Sequence, residues 1–403
     1  MSGVFTPDVK TDKPEILIPN LPIRDYAAFI RPTDDQAAVA LGDKVVEEIT
    51  KNHIADFERD EEYCKKHGEN NPDLMVHVPT FTIIDGIVYM TYYANVAAGG
   101  ETPTEQEARL AYCPVDHPED MTVVTVQKVG DMVDGHKITM VYDTILMHKD
   151  DKELYLMWTA CTEQYYRFYC VFDIATKTMG PVQVNRFKVG DVVNDFSVSG
   201  IVGALSANSL GHDWMFSDIG IMQKMSTREE NGETYYYTGA YSGLFTCIIK
   251  SKDFITWEYV AEPDFDNFSK WENATYVLED KVYYFVRQEE QECSHGFLTY
   301  YDLKTGKWAK PVIVHDCQSR SDFIMYDGEL YLFHAPRNRD GFGLLRIDRE
   351  DLAKTEVVFV ADMKSSLFYA FYKPYGEDVY MAYTVDRKHI RFTKFNLKNF
   401  LQK

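Results

Sequence analysis

The stretch Ile84-Asp85-Gly86-Ile87-Val88-Tyr89-Met90-Thr91-Tyr92 decides how the rest of this 403-residue chain is read. Asp and Gly, which reach positive φ at low cost, sit between a short apolar run at 80–84 and an aromatic, β-branched run. Turn residues between two strand-like runs mark a hairpin. The phrase returns as Asp151-Lys152-Glu153-Leu154-Tyr155-Leu156-Met157-Trp158 and as Asn231-Gly232-Glu233-Thr234-Tyr235-Tyr236-Tyr237. It comes again as Glu279-Asp280-Lys281-Val282-Tyr283-Tyr284-Phe285, Asp327-Gly328-Glu329-Leu330-Tyr331-Leu332-Phe333 and Gly376-Glu377-Asp378-Val379-Tyr380-Met381-Ala382-Tyr383. Tyr235, Tyr283, Tyr331 and Tyr380 stand about 48 residues apart. Strands repeated at such a period predict an all-β propeller, here a single domain over 1–403.

Working outward, blades are expected at about 75–128, 138–185, 215–262, 270–315 and 319–361, and a last one of about three strands at 366–398. Six repeats are therefore visible. The fourth strand of the last blade is expected from the N-terminal part, at residues 17–23, so that N- and C-terminal strands pair and two edges vanish. Residues 36–50 and 54–66 carry apolar side chains at helical spacing, which predicts a partly helical insert near 35–70. The Gly-, Asn- and Ser-rich segment 186–214 is expected to be a long loop with a function or a cap on one face.

A net charge of −21 argues against nucleic-acid or anionic-membrane partners. An anionic substrate would have to rely on local Arg and Lys. Seven cysteines, an odd number with no C-x-x-C pair, read as reduced thiols of a cytoplasmic protein. The N-terminal residues show no signal peptide and the chain no membrane span, so a small imported oligosaccharide is the expected kind of glycan. The oligomeric state has no signature in the sequence.

Propeller ligands bind over the central channel, so the residues just before each inner strand matter most. These include His77, Asp143, Asp218, the Trp271-Glu272 pair, Arg320 and Asp322. The bland alternative is that such aspartates cap turns and bond backbone amides. Three functional readings compete. A glycosidase would draw a carboxylate pair from Asp143, Asp218, Glu272 and Asp322. An elimination at a uronic acid would use His53 or His77 as base, with Arg167, Arg287 or Arg320 neutralising the carboxylate. A glycan-binding propeller would use the same face without turnover. No metal-binding motif is present and no cofactor is required, although channel carboxylates would suit a structural Ca2+ ion.

Several phrases carry a resemblance. His77-Val78-Pro79, Tyr142-Asp143-Thr144-Ile145-Leu146, Asp195-Phe196-Ser197, Trp271-Glu272-Asn273-Ala274-Thr275-Tyr276, Ser319-Arg320-Ser321-Asp322-Phe323 and Lys364-Ser365-Ser366 resemble the propeller enzymes that release L-rhamnose from α-1,4-linked glucuronate. These are glycoside hydrolase family 145 and polysaccharide lyase family 42. The resemblance spans about residues 50–395. It implies seven blades and a histidine-dependent lyase acting on a small anionic oligosaccharide. The family's essential histidines would fall on His53 and His77. Its uronate-holding arginines would fall among Arg167, Arg287 and Arg320. Asp143, Asp218, Trp271, Glu272 and Asp322 would line the substrate.

Overall fold

The computed structural model describes residues 25–210, 218–243, 245–263, 272–287, 295–317 and 319–401. Its fold is a β-propeller, and the described residues form six blades rather than seven. Blade 1 is the meander Met75–Ile84, Ile87–Asn95, Gln106–Pro114 and Thr122–Lys128. Blade 2 begins with the inner strand Met140–Met147, blade 3 with Ile219–Ile221, blade 4 with Asn273–Leu278, blade 5 with Asp322–Tyr326 and blade 6 with Leu367–Tyr375. Each inner strand touches the next blade, and blade 6 touches blade 1, so the ring is closed. A seventh blade would have had to come from residues 20–75, and those of them that are described, from 25 on, instead form straps, helices and the closing strand, with Met75 opening blade 1.

Near-continuous buried runs, such as Met75–Ile84 and Ile87–Asn95, give each blade two buried faces, and six buried clusters fill the six gaps between blades. Trp158 and Leu110 lie between blades 1 and 2, and Trp257 and Ile219 between blades 2 and 3. The six described cysteines are buried free thiols within these layers. No helix among the described residues is long and apolar enough to cross a membrane.

The N-terminal part straps the outside of three blades. Strand Ala28–Ile30 adds in parallel to Val312–His315, the outer strand of blade 4. Helix α1, Gln36–Lys51, follows; its Asp35 cap accepts from the amides of Ala37 and Ala38. It lies on Glu356–Asp362, the outer strand of blade 5. Gly42 makes this possible, since a Cβ there would run into the Val360 carbonyl. Strand His53–Asp56 then pairs antiparallel with His389–Phe395 as the fourth strand of blade 6. Closure by an N-terminal strand is thus found, but at His53–Asp56; residues 17–23 lie outside the described residues. Helix α2 is confined to Glu61–His67, because Ile54 to Asp56 belong to the closing strand.

The expected loop at 186–214 is structured where described. The hairpin Arg186–Val189 and Val192–Asp195 extends the outer edge of blade 3, in parallel with Thr256–Ala261. Helix α3, Val198–Ala207, packs on that hairpin with Ile201, Ala204 and Leu205 buried.

Candidate functional site

The inner strands start at one end of the channel, and three of them bulge there. The ladder slips between His77 and Thr80 in blade 1, beside Asp143 in blade 2, and between Phe368 and Phe371 in blade 6. Val78, Asp143 and Tyr369 take positive φ at these points, 56°, 53° and 49°. Positive φ in β-branched and bulky residues is costly, and bulges re-aim side chains. In blade 3 the inner strand breaks outright, leaving Ile219–Ile221 and Ser226–Glu230 as separate partners of one neighbour. These interruptions turn polar side chains toward the axis.

A buried chain of alternating charge crosses the channel. Arg167 Nη1 meets Asp143 Oδ2 at 3.0 Å, and the other Asp143 oxygen accepts from Arg320. Arg320 Nε donates to Glu272 Oε1 at 2.6 Å, and Arg287 Nη1 meets Glu272 Oε2 at 2.7 Å. All five side chains are buried. Gly220 leaves room for this packing, since a Cβ there would strike the Tyr241 ring and the Asp143 carboxylate. Burial pushes the Glu272 carboxyl up, but Arg287 and Arg320 outweigh it and hold the group below the ordinary range, hence ionised.

Tyr369 stands at the end of this chain. Its hydroxyl accepts from Arg287 Nη1 at 3.2 Å and lies within the electrostatic reach of the Glu272 carboxylate. The Arg320 guanidinium lies 4.7 Å over its ring. Burial and Glu272 raise the phenol, while Arg287, Arg320 and Arg339 pull it down; the net direction is up. The phenol is therefore neutral at rest, beside an ionised carboxylate able to take its proton.

His77 stacks face to face with Tyr369, with centroids 4.6 Å apart, and is enclosed by Tyr93 and Phe368. It is 0% exposed. Burial and then Arg387, Arg320, Arg339 and Arg287 push its pKa well below the ordinary value, so it is neutral. Nδ1 lies 3.3 Å from the Thr384 hydroxyl, and Nε2 has no hydrogen-bond partner among the described residues. On the rim, the exposed Glu101 accepts from the Tyr93 hydroxyl at 2.6 Å and pairs with Arg387 at 3.1 Å.

Of the residues singled out in the sequence, the structure gathers His77, Asp143, Arg167, Glu272, Arg287 and Arg320. Arg167 is fully buried and braces Asp143, the Thr159 hydroxyl and the Ile221 carbonyl. Asp218 faces Tyr142 and Tyr241 on the blade 2–3 side. Asp322 lies deeper, paired with Lys224 at 3.1 Å and accepting from the Tyr372 amide. His53 is on the outermost strand of blade 6, roughly 14 Å out from the inner strand. It is 41% exposed with Asp56 3.6 Å away, so it does not share the channel with His77. Trp271 lies outside the described residues. The carboxylates expected to hold Ca2+ are instead matched to cations: Asp143 and Glu272 to arginines, Asp322 to Lys224.

Tyr369, Arg339, Arg387 and Glu101 were not singled out. A signal for Tyr369 was present: like Val78 and Asp143, it stands nine or ten residues before the start of the next strand of its blade. Arg339, Arg387 and Glu101 sit in loops after second strands, where no repeat marks them.

No protein-family model and no curated protein matches the chain. Solved sialidases are similar in structure. Trypanosoma rangeli sialidase superposes with a TM-score of 0.54 at 15% identity, over 81% of this chain. The same enzyme solved as a covalent intermediate with 2,3-difluorosialic acid gives 0.56 at 13% over 86%. The Hadza microbial sialidase Hz136 gives 0.58 at 11% over 82% of this chain and 67% of its own. The likeness is one of fold. The chain spans 55% of the length of the Trypanosoma rangeli protein.

Proposed function

We propose that this protein is a glycosidase that removes a terminal carboxylated sugar, of the sialic acid kind, through a covalent glycosyl–tyrosine intermediate. The observation that carries the reading is the Tyr369 hydroxyl held between Arg287 and the ionised Glu272. A carboxylate beside the anomeric carbon repels an anionic nucleophile, and a neutral phenol avoids that repulsion; sialidases are known to depart from the two-carboxylate rule with a Tyr nucleophile. Tyr369 Oη would bond to the anomeric carbon as its proton passes to Glu272. The exposed Glu101 would protonate the departing oxygen, then take a proton from the water that releases the sugar. The guanidiniums of Arg287, Arg320 and Arg339 around Tyr369 suit the sugar carboxylate. The fold likeness to a sialidase trapped as a covalent intermediate supports this reading.

A second reading keeps rhamnosyl-glucuronate as substrate. It is favoured by one observation: the neutral His77 has a partnerless Nε2 beside the same guanidiniums. There the imidazole would remove the uronate proton once Tyr369 moved aside. One experiment separates the two. The protein is offered a methylumbelliferyl sialoside and a rhamnose-capped glucuronate oligosaccharide, and it is also treated with a difluorosialic acid and digested for peptide mass spectrometry. Sialoside turnover with an adduct on Tyr369 is expected. Rhamnose release with absorbance of an unsaturated uronate, and no adduct, would establish the second reading instead.

A further inference from the structure

The inner strands also have a far end. One residue from each blade meets there: Thr82, His148, Lys224, Tyr276, Phe323 and Lys373 line a cavity of about 320 Å3. His77 and Thr82 lie five residues apart on one strand, which puts this cavity roughly 15 Å below the Tyr369 site. It is a separate place, and nothing in the function proposed above uses it.

Its polar groups account for one another almost completely. Lys224 Nζ donates to the Tyr372 carbonyl at 2.5 Å, pairs with Asp322 at 3.1 Å and lies 4.3 Å over the Phe371 ring. Asp322 also accepts from the Tyr372 amide at 2.9 Å. Both contacts fall on Asp322 Oδ2, and its Oδ1 has no hydrogen-bond partner among the described residues. Lys373 Nζ donates to the Thr82 hydroxyl at 2.6 Å and lies 3.3 Å from His148 Nε2. His148 Nδ1 is 3.2 Å from the Asp150 carbonyl, so it carries the ring proton and Nε2 is the acceptor. An ammonium has three N–H donors, and the third of Lys373 has no partner among the described residues. No carboxylate among them pairs with it; Asp151 acts only from beyond ion-pair distance. A largely buried ammonium without a counter-ion is costly, and burial together with Lys224 pushes Lys373 down to about 8.

What the cavity lacks is one negative charge. Two ammoniums face one carboxylate, so a single charge remains to be balanced, and a monoanion fits better than a dianion. The walls around the two lysines are apolar, with Phe81, Phe323 and Phe371 on different blades. We propose that this far mouth binds a small organic carboxylate, its oxygens on the free N–H of Lys373 and the open side of Lys224, and its apolar body against these phenylalanines.

The probe is hexanoate, with hexan-1-ol and inorganic phosphate as comparisons, read by calorimetry on the full chain. Reductive methylation of the wild type with and without hexanoate, mapped by peptide mass spectrometry, locates the site without any variant. Hexanoate should bind more tightly than either comparison and should shield Lys373. Lys373→Met should weaken it at least about tenfold, the worth of one charged hydrogen bond. Tyr369→Phe should leave it unchanged. Hexan-1-ol binding equally well, phosphate binding as tightly, or Lys373 methylated at the same rate in the presence of hexanoate would each overturn the proposal.

Discussion

Replacing Tyr369 with Phe removes one oxygen and leaves the ring in place. The stack on His77 at 4.6 Å and the Arg320 guanidinium at 4.7 Å are untouched. What is lost is the 3.2 Å hydrogen bond from Arg287 and the phenol's place beside Glu272. Neither partner is orphaned, because Arg287 and Glu272 keep each other at 2.7 Å and Glu272 keeps Arg320 at 2.6 Å. The expected cost in stability is therefore about 1 kcal/mol. In a chain of this length that lowers Tm by only about 1–2 °C. If the phenol is the attacking group, turnover falls by at least about a thousandfold, or about 4 kcal/mol in the barrier. The gap between those energies makes the test informative. Sialoside hydrolysis and thermal melting should be measured on the same preparation. Activity within about tenfold of wild type would refute a nucleophilic role. A fall in Tm of more than about 5 °C would show that the hydroxyl supports the structure beyond its hydrogen bond with Arg287.

Other consequences can be checked alongside. Arg320→Ala leaves Asp143 and Glu272 facing each other without their shared cation and should cost about 3–5 kcal/mol by urea unfolding; the added changes Asp143→Asn and Glu272→Gln should restore much of it, and no restoration would remove the charge argument. His334 is buried with both ring nitrogens unpartnered and is pushed down to about 3 by burial. Its folded pKa lies below the unfolded value of about 6.5, so the unfolded chain takes up the proton first and stability falls as pH drops below that; the loss is about 2 kcal/mol by pH 5. His334→Leu should flatten the dependence of Tm on pH between 7 and 5, and an unchanged slope would contradict the assignment. Gly42→Ala should destabilise by about 1–3 kcal/mol because its Cβ meets the Val360 carbonyl; a gain of about 1 kcal/mol, the helix-propensity value, would mean that α1 rides free of blade 5. Phe57→Ala, beside the closing strand and packed on Phe392 at 5.5 Å, should cost about 3–5 kcal/mol by the same unfolding assay.

The propeller was legible because its signal is local and repeated. Each hairpin carries its own turn residues and aromatic run, so six blades could be placed from the chain alone with bounds close to those observed. The seventh came from the resemblance, and the closed ring of six blade-to-blade contacts leaves it no place. Closure by an N-terminal strand followed from edge chemistry, but its location did not. His53–Asp56 is four residues long and lies between two helices, too short for alternation to show. The site was half legible. Residues at or just before the starts of inner strands sit at a repeat position, which exposed His77, Asp143, Glu272 and Arg320. Tyr369 was hidden because tyrosine is abundant throughout the strands, and only a bulge, invisible in composition, turns this one toward the axis. His53 looked equivalent to His77 by residue type alone, but it lies on the outermost strand of blade 6, while His77 lies on the inner strand of blade 1.

The sheet made of Leu367–Tyr375, Asp378–Val385, His389–Phe395 and His53–Asp56 joins residues more than 300 positions apart. Loop closure over such a span is entropically expensive and slow, and nothing local can anticipate it. During synthesis the strand His53–Asp56 and helix α1 leave the ribosome before any of the blades they hold together exists. They must wait, unpaired, until the final repeat has emerged. The ring therefore locks only once its sixth blade has been made, and until then blades 1 and 6 present open flanks to the surrounding solution. A chain interrupted before its sixth blade would be a nearly complete body with a sticky seam, which makes completion of that blade itself the control on solubility.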